Sequence, residues 1–425
     1  MKVWLVNVGE PLPIDGENVR LHRTGILAEY LLDAGHKVLW WTSTFNHQQK
    51  RQRFRSNKEI KINPKYTLRL LKGITYKKNI SFKRLIDHWL IGQKFKRAIM
   101  RESLPDIVIA SMPTIELAHH VSMFGRRKRI PVIVDIRDLW PEIFVKLAPS
   151  FAQPIARAIL LPMSLQLSQA CKSAFAITGN TDKFVEWGLK YARREQKTYD
   201  RSFPFGYSQK KLNKKSVNEA QEYWKKLGLD SNNKFVICLV GNFGQLFKYE
   251  FSEAMLAAKS LTKKSKNIVF VFCGQGVCLN EYKEMTSKCE RVFFTGWLDK
   301  HYIYELLKLA SVGLLPYSSD SFDFMMSVPN KVIEYFSEGV PVVSSLSGVT
   351  GDLLKKNKCG LAYPSGKRGD LISIIEKLYR EKRQLKQMSN NAKKLFKEKY
   401  TADKVYGDMV KYLEDIVKEY KKKNV

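Results

Sequence analysis

The chain has 425 residues, which is too long for one ordinary hydrophobic core, so we expect two or three domains. Its apolar fraction of 44% and aromatic fraction of 12% are those of a folded protein and exclude a disordered chain. The formal net charge of +32 favours a polyanionic partner, such as an anionic membrane face or a phosphorylated substrate, although a generally basic surface gives the same charge. RNA-binding signatures are missing from the sequence, so we do not expect nucleic acid as a partner.

The cysteines and the first residues indicate the cellular setting. The six cysteines lack a C-x-x-C spacing, which favours reduced, buried thiols over a metal site. The stretch Met1–Pro13 is typical of the first strand of a core and not of a signal peptide. The best candidate for a membrane span, Ala158–Cys171, is too short and contains Gln and Ser. We therefore expect a cytoplasmic protein without a transmembrane helix.

Short apolar runs alternate with helical patterns in the first half of the chain. The runs are rich in β-branched residues and apolar throughout, which is typical of strands buried on both faces of a parallel sheet. They begin at Lys2, Lys37, Asp106 and Pro131. An amphipathic helical pattern that starts at Val19 ends at Gly35. This β-α-β order predicts an α/β, doubly wound, Rossmann-like domain over residues 1–210.

The most basic part of the chain lies in this first half. Residues 51–100 hold 15 Lys and Arg against 2 Asp and Glu. Within the wider segment Lys50–Arg101, the stretch IGQKFKRAI interleaves apolar and basic residues. Such a segment can lie on an anionic leaflet, so an anionic membrane surface is a predicted partner.

Charged residues follow the apolar run at Pro131 directly. Arg137 and Asp138 stand at its carboxyl end, where parallel sheets bind their ligands. An arginine there can stabilise a leaving phosphate, and an aspartate can orient an acceptor hydroxyl. A structural Arg–Asp pair is the alternative. Gly16, in the loop after the first strand, gives flexibility at a helix start that faces the same edge of the sheet.

The alternation of strand and helix patterns restarts after a basic, polar stretch around residues 200–232. It predicts a second Rossmann-like domain over residues 216–400. The last helix, over about 403–425, is amphipathic and is expected to cross back to the first domain. Two such domains in tandem can bring the carboxyl ends of both sheets to one cleft, which is where α/β proteins bind ligands.

Two strand-to-helix junctions of the second domain are candidates for a nucleotide pocket. In VGNFGQLFKYE, Asn242 and Gly244 form a turn whose N–H groups can approach phosphate oxygens, and Lys248 adds a point charge. In FTGWLDK, Gly296 and Trp297 stand at the end of a strand, where a base or ribose can lie. An ordinary strand-to-helix turn is the alternative for each junction.

The stretch Ser327–Val343, SVPNKVIEYFSEGVPVV, carries the strongest signal. A helix that begins near Pro329 presents unpaired N–H groups and its positive dipole end to a diphosphate. The Glu334 carboxylate, one turn further on, can accept two hydrogen bonds from the adjacent hydroxyls of a ribose. A glutamate satisfied by local N–H groups is the alternative. The predicted donor-binding residues of this stretch are Ser327, Asn330, Lys331 and Glu334.

Together these positions resemble the retaining glycosyltransferases of family 4, which have the two-domain GT-B fold, and the resemblance covers nearly the whole chain. Gly35–Val38 matches the family's GHxV motif, and Val292–Gly296 matches its V-x-F-x-G strand. Pro329–Val343 matches P-x-K-x-x-E-Y followed by G-x-P-V-V. Arg137–Pro141, RDLWP, is similar to the subgroup that includes N-acetyl-fucosamine transferases of bacterial surface-polysaccharide synthesis.

The resemblance also implies residue roles. In the family, the counterpart of Glu334 binds the ribose of a nucleotide sugar, and a lysine near Lys248 binds its diphosphate. The chain departs from the family pattern at four positions. Asn242 stands where an arginine is usual, and Lys248 follows it after six residues where the usual spacing is five. Met326 stands where the family has the first of two glutamates, and Arg137 replaces a histidine near the donor sugar. Lys331 and the N–H groups of residues 326–328 are possible substitutes for the lost phosphate contacts. The predicted catalytic residues are Arg137, Asp138 and Lys248.

The resemblance implies a retaining, metal-independent sugar transfer that needs no cofactor. The implied donor is a nucleotide sugar, UDP-linked and N-acetylated by analogy with the RDLWP subgroup. The implied acceptor is a lipid-linked glycan or a polysaccharide at the inner face of the bacterial cell membrane. Two other functions fit the same fold: a sugar-nucleotide epimerase or hydrolase, and a catalytically silent partner that binds sugar nucleotides. HExxH and GxSxG motifs do not occur, so metallohydrolase and serine-hydrolase functions have no support.

Overall fold

The computed structural model describes residues 1–16, 19–78, 81–209, 212–229, 233–244, 248–364 and 369–424. The chain divides into two compact units. The first unit consists of Met1–Pro204 and Asp403–Val425, and the second unit is Phe205–Ala402. Both units are α/β, with parallel sheets and helices between the strands, as the apolar runs of the sequence predict.

The described residues of the first unit form ten strands. They are β1 (Lys2–Val6), β2 (Lys37–Ser43), β3 (Phe45–Asn46), β4 (Arg51–Gln52), β5 (Lys58–Asn63), β6 (Tyr66–Leu71), β7 (Ile107–Ser111), β8 (Val132–Ile136), β9 (Ala176–Gly179) and β10 (Arg201–Ser202). Eight of them form one sheet in the order β10-β9-β8-β7-β1-β2-β6-β5, parallel except for β5, which pairs antiparallel with β6. β3 and β4 form a separate antiparallel pair.

In the described part of this unit, seven α-helices connect the strands. They are α1 (Arg23–Asp33), α2 (Phe82–Ala98), α3 (Ile115–Lys128), α4 (Glu142–Leu147), α5 (Gln153–Ile159), α6 (Leu161–Ser173) and α7 (Asp182–Ala192). Helix α1 ends just before Gly35, whose φ of +84° suits glycine at this position. It begins at Arg23 and not at Val19, because residues 19–22 belong to the loop that leaves β1.

The second unit is built on a six-stranded, fully parallel sheet. Its strands are β11 (Phe235–Asn242), β12 (Ile268–Gln275), β13 (Val292–Gly296), β14 (Ala310–Leu315), β15 (Val342–Ser344) and β16 (Gly360–Ala362). The spatial order is β13-β12-β11-β14-β15-β16. The winding direction reverses between β11 and β14, which makes their carboxyl ends the place where such a sheet binds ligands.

Helices cover both faces of this sheet. They are α8 (Lys214–Lys226), α9 (Lys248–Lys264), α10 (Leu279–Met285), α11 (Lys300–Leu309), α12 (Phe322–Met325), α13 (Asn330–Ser337), α14 (Gly348–Asn357), α15 (Asp370–Arg380) and α16 (Lys382–Lys399). Two clusters of buried apolar side chains, one on each face of the sheet, form the core.

The last helix, α17 (Ala402–Asn424), packs on the first unit, as predicted. The Tyr412 hydroxyl donates a hydrogen bond of 2.7 Å to the Tyr199 carbonyl oxygen, and Lys421 Nζ lies 2.8 Å from a carboxylate oxygen of Asp106. All six cysteines are free thiols, as their spacing predicts. Within the described residues, no helix is long and apolar enough to cross a bilayer.

Candidate functional site

Helix α13 begins where the sequence predicts, with Pro329 as the residue before its first turn. It follows β14 and precedes β15, so its amino end lies on the carboxyl side of the second sheet. The loop before it is held by side chains: the Thr350 hydroxyl donates a hydrogen bond of 2.8 Å to the Ser327 carbonyl oxygen, and the Ser345 hydroxyl donates one of 2.8 Å to the Tyr317 carbonyl oxygen. The amino end of α13 therefore has a fixed position in the second unit.

The two charged residues predicted to bind the donor are neighbours on this helix. Lys331 Nζ lies 3.1 Å from Glu334 Oε2. The Glu334 side chain is only 7% exposed, whereas that of Lys331 is 25% exposed. The Glu334 charge also reaches Tyr317, whose pKa is raised to about 12 by burial and by this carboxylate. The acidic side chain is thus buried, but it is paired with a lysine that reaches water.

Tyr335 fixes α13 to the point where the sheet reverses direction. The Val240 N–H donates a hydrogen bond of 3.1 Å to the Tyr335 hydroxyl oxygen, and this hydroxyl donates one of 3.3 Å to the Leu314 carbonyl oxygen. The ring lies against Gly313, where a Cβ atom would come within 2.5 Å of it. The side chain next to Glu334 therefore connects the helix to both β11 and β14.

We predict that Tyr335→Phe lowers the free energy of unfolding by about 1 to 3 kcal/mol, because it leaves the partly buried Val240 N–H without its acceptor. Urea unfolding of the purified variant measures this change. Tyr302→Phe is the matched control, since the Tyr302 hydroxyl donates to Glu219 at an exposed position. Equal stability of the two variants would contradict the supporting role of Tyr335.

The N–H groups before α13 are partly engaged. The Met326 N–H donates to the Asp323 carbonyl oxygen and the Ser327 N–H donates to the Phe324 carbonyl oxygen, each at 3.3 Å. These bonds end the short helix α12. The first two N–H groups of residues 326–328 thus have acceptors within the chain, and their role as substitutes for the missing family contacts stays a prediction. The helix start itself and Lys331 are left as candidate phosphate ligands.

The end of β12 packs closely on the turn after β11. A Cβ atom at Gly276 would lie 2.3 Å from the carbonyl group of Phe243, and one at Gly274 would lie 1.7 Å from the Gly241 carbonyl oxygen. Close packing of the β11 and β12 ends thus requires these glycines whether or not a phosphate binds. Asn242 is exposed and Gly244 is half-buried. The side chain of Lys248, at the start of α9, lies outside the described part of the structure.

The junction after β13 lies apart from α13. Gly296 has a φ of +72°, and the Trp297 side chain is 73% exposed. Because β13 is the edge strand, β12 separates it from β11, a distance of about 10 Å at the usual strand spacing. The contribution of Trp297 to a base or ribose pocket stays a prediction.

In the first unit, Arg137 lies in a buried polar network. The Arg137 Nε–H donates a hydrogen bond of 2.6 Å to Asp135, and Nη1 donates to Glu10 and, at 2.8 Å, to the Thr24 hydroxyl. Arg23 Nε lies 3.3 Å from the same Asp135 carboxylate. Two guanidinium groups thus face two carboxylates, all from elements at the carboxyl end of the sheet.

Asp135 is the centre of this network and is completely buried. Its carboxylate also accepts a hydrogen bond of 2.8 Å from the Thr178 hydroxyl. Burial alone raises the pKa of Asp135, but the guanidinium groups of Arg23 and Arg137 outweigh it and hold this pKa well below its ordinary value. The same pairing raises the pKa of Arg137 against the opposing effect of its own burial. Asp135 and Arg137 are therefore both charged at neutral pH.

Reasoning from the sequence did not find this network. It paired Arg137 with its neighbour Asp138, whereas the structure pairs it with Asp135 and Glu10. The available signal was the lone aspartate inside the apolar run VIVDI, since a buried carboxylate needs a charged partner.

Asp138 and Gly16 lie near this network in the sequence but have other surroundings. The Asp138 carboxylate accepts a hydrogen bond of 2.9 Å from the Leu139 N–H, and its charge acts on Arg84, whose guanidinium group lies over the Trp140 ring at 4.5 Å. Gly16 has a φ of +150° and open space around it, next to Asp15, which is paired with Arg53. The catalytic role of Asp138 and the role of Gly16 stay predictions.

The described residues contain no group of three or more His, Cys, Asp and Glu side chains that could hold a metal ion. Two surface cavities of about 350 and 400 Å³ lie on the first unit, one beside β5 and β6 and the other beside Asp15 and Arg53. Neither cavity is lined by a predicted site residue.

The fold defined by these two units is the GT-B fold. A sucrose-phosphate synthase from Thermosynechococcus elongatus has a TM-score of 0.70 and 14% identity, over 98% of each chain. HepE from Anabaena, solved in complex with UDP, has a TM-score of 0.63 and 13% identity, over 97% of this chain and 99% of that chain. WaaG, a glycosyltransferase involved in lipopolysaccharide biosynthesis, has a TM-score of 0.64 and 13% identity, over 97% and 99%. At such identities the likeness shows the fold alone.

The second unit can be assigned more closely. Residues 207–395 match the family model described as Glycosyl transferases group 1, so the chain carries a glycosyl transferases group 1 domain. The match includes β11, α13 and every predicted donor-binding residue except Gly16. No curated protein sequence matches the chain. The predicted GT-B fold and the predicted glycosyltransferase domain are thereby confirmed.

Proposed function

We propose that this protein is a glycosyltransferase that takes a sugar from a nucleotide-sugar donor bound at the amino end of α13. The observation that carries the proposal is the Lys331–Glu334 pair, at 3.1 Å, on the helix that starts at the carboxyl side of the group 1 domain's sheet. Anions bind at helix amino ends because unpaired N–H groups and the helix dipole converge there. A diphosphate is the matching ligand.

Each of the two charged side chains has a part in donor binding. The Glu334 carboxylate accepts hydrogen bonds from the ribose hydroxyls, and its burial makes such bonds strong. Lys331, which is more exposed, turns from Glu334 to the diphosphate when the donor binds. UDP is the proposed nucleotide, supported by the resemblance of RDLWP to a subgroup that uses UDP-linked N-acetylated sugars and by the likeness to HepE, which was solved with UDP.

The proposed reaction is retaining and independent of metal and cofactor. The bond between the anomeric carbon and the diphosphate oxygen breaks with its electron pair on the diphosphate. The oxygen of the acceptor hydroxyl bonds to the anomeric carbon from the same face, and its proton passes to the leaving diphosphate oxygen. Lys331, Lys248 and the amino end of α13 stabilise the leaving diphosphate, at about 3 kcal/mol per key donor by analogy with oxyanion sites. We also propose that the protein is a member of glycosyltransferase family 4.

For Arg137 the contacts favour a positioning role within the proposed reaction. Its guanidinium group is held by Asp135 and Glu10, which leaves it as a fixed charge at the carboxyl end of the first sheet. A fixed cation there can orient Glu10 and the Thr24 hydroxyl towards an acceptor. Asp138 is the proposed residue that orients the acceptor hydroxyl.

The proposed acceptor is a lipid-linked or polysaccharide glycan of bacterial cell-surface polysaccharide biosynthesis, reached from the cytoplasmic face of the membrane. The basic segment Lys50–Arg101 supports this proposal. It contains β4, β5, β6 and all of α2, and the side chains of Lys58, Lys61 and Lys96 are exposed on it. Exposed lysines are attracted to the anionic lipids of the cytoplasmic leaflet.

Purified protein incubated with a panel of UDP- and GDP-sugars tests the proposal, with release of nucleoside diphosphate as the readout. We expect turnover only when a lipid-linked acceptor fraction is added, and an increase in Tm with UDP alone, because a ligand of the native state stabilises it. Conversion of a sugar nucleotide without acceptor would favour an epimerase or hydrolase. Binding without turnover under all conditions would favour a silent partner. Asn242 and Met326 support that alternative, because they stand where the family usually has an arginine and a glutamate.

A further inference from the structure

Residues 147–165 form an apolar surface segment in the first unit. They include the end of α4, all of α5 and the first turn of α6. Every residue of this segment is described, and none of them is buried. Its single charged residue is Arg157, and the other residues are mostly Leu, Ile, Ala, Pro, Phe and Met. We call residues 147–165 the apolar segment.

The large side chains of the apolar segment share one side. Phe151, Ile155 and Ile159 recur at intervals of four residues through a short 3₁₀ turn and α5, so they project from the same face. Phe151 is 85% exposed and Ile159 is 71% exposed. Leu147, Leu161 and Leu165 are more than half exposed as well. A row of apolar side chains of this size on a water-facing helix marks an interaction site.

A second exposed apolar group lies on α2. Phe82, Ile86 and Trp89 follow helical spacing and are all exposed. The elements that carry the two groups are neighbours, because the Trp140 ring stacks on His88 of α2, with ring centroids 5.2 Å apart, and contacts Phe144 of α4 at 4.5 Å. Together the two groups are the largest set of exposed apolar side chains among the described residues.

The charges beside these apolar side chains are positive. Lys83 and Arg97 are exposed on α2, whose single acidic residue, Asp87, is buried. Lys146 and Arg157 are exposed on the other elements. Exposed apolar side chains flanked by cations suit an anionic lipid surface, where the cations remain at the headgroups. A second copy of this chain is a poor occupant, because each copy carries a net charge of +32.

We propose that the apolar segment, with Phe82, Ile86 and Trp89, is the surface that inserts into the headgroup region of an anionic lipid bilayer. Helix α5 has seven residues and is about 10 Å long, which suits shallow insertion along the membrane plane. The basic segment Lys50–Arg101 supplies attraction to the surface, whereas the apolar segment supplies the buried area. The purpose of this contact rests on the proposed function, since it brings the enzyme to a lipid-linked acceptor.

Vesicle co-sedimentation at about 0.15 M salt tests the inference, with vesicles of phosphatidylcholine alone or with one third phosphatidylglycerol. The variant carries Phe151→Ser, Ile155→Ser and Ile159→Ser together. We expect it to lose anionic-vesicle binding by roughly tenfold or more, while its Tm and its stabilisation by UDP stay those of the unchanged chain. The matched control is Val277→Ser, which replaces an exposed apolar side chain of the second unit and leaves binding unchanged.

Three outcomes would overturn the inference. The first is wild-type vesicle binding by the triple variant. The second is equal binding of the unchanged chain to neutral and anionic vesicles. The third is a concentration-dependent dimer, seen by sedimentation and lost in the triple variant, without vesicle binding. Because the readout needs neither donor nor acceptor, a failure of the proposed function would show in the turnover assay and not here.

Discussion

Glu334→Gln is expected to raise the dissociation constant for UDP and the KM for the sugar donor by roughly 10- to 100-fold, with Tm nearly unchanged. A hydrogen bond to a charged acceptor contributes about 1.5 to 3 kcal/mol, and every 1.4 kcal/mol is a factor of ten. Glutamine keeps the volume of the buried side chain, and Lys331 can stay hydrated because it reaches water. Calorimetric titration with UDP and initial-rate kinetics measure the two constants.

The control is Glu338→Gln on the residue that follows the same helix. The Glu338 carboxylate accepts a hydrogen bond of 2.7 Å from Gln209, and it lies at the opposite end of α13 from the proposed diphosphate. This variant should bind UDP as the unchanged chain does. Wild-type affinity in Glu334→Gln, or an equal loss in both variants, would show that the donor does not bind at this helix.

The parts of the fold that were predicted from the sequence are those with a local signal. β7 and β8 are apolar at nearly every position and every residue in them is buried, so their sequence pattern and their place in the sheet agree. β5, KEIKIN, was missed because it is an edge strand whose side chains are almost all exposed. A strand of this kind is stabilised by its partner β6 and not by its own hydrophobicity.

In the candidate site, too, contacts between residues close in the sequence could be predicted and long-range contacts could not. Lys331 and Glu334 are three residues apart on one helix, so helical spacing alone predicts that they meet. Arg137, by contrast, meets Glu10 and Thr24, which are more than a hundred residues away in the chain. Such a network exists only after the strands β1 and β8 have been brought to the same edge of the sheet, so spacing in the sequence cannot indicate it.

The apolar segment illustrates a limit of hydropathy. Part of it lies within Ala158–Cys171, a stretch that is too short for a membrane span and contains polar residues. An apolar stretch of that length is normally a core helix. The structure leaves it on the surface, because α6 buries only its later residues Leu167, Ala170 and Cys171. Burial, which the sequence does not record, separates a core helix from an interfacial one.

Asp135→Asn is expected to lower the free energy of unfolding by about 3 to 5 kcal/mol, because it leaves the guanidinium groups of Arg23 and Arg137 without the carboxylate that compensates both. Urea unfolding at neutral pH, followed by far-UV circular dichroism, measures the loss. Asp408→Asn is the matched control, since Asp408 pairs with Lys404 at the surface of α17 and its replacement should change little. Equal stability of both variants would mean that the buried network is not held by Asp135.

The stability difference between the unchanged chain and Asp135→Asn is also expected to depend on pH. The pKa of Asp135 is lower in the folded chain than in the unfolded chain, where it is about 3.9. The stabilising effect of the Asp135 charge is therefore complete above about pH 3.9, and it is lost as the pH falls through the pKa of the folded chain. The stability difference between the unchanged chain and Asp135→Asn should therefore be constant from about pH 7 to 5 and shrink below about pH 4. Urea midpoints measured across this range report it. A difference that persists undiminished in acid would mean that the variant destabilises the chain by altered packing and not by the lost charge, since a protonated Asp135 and an asparagine both lack the negative charge at this position.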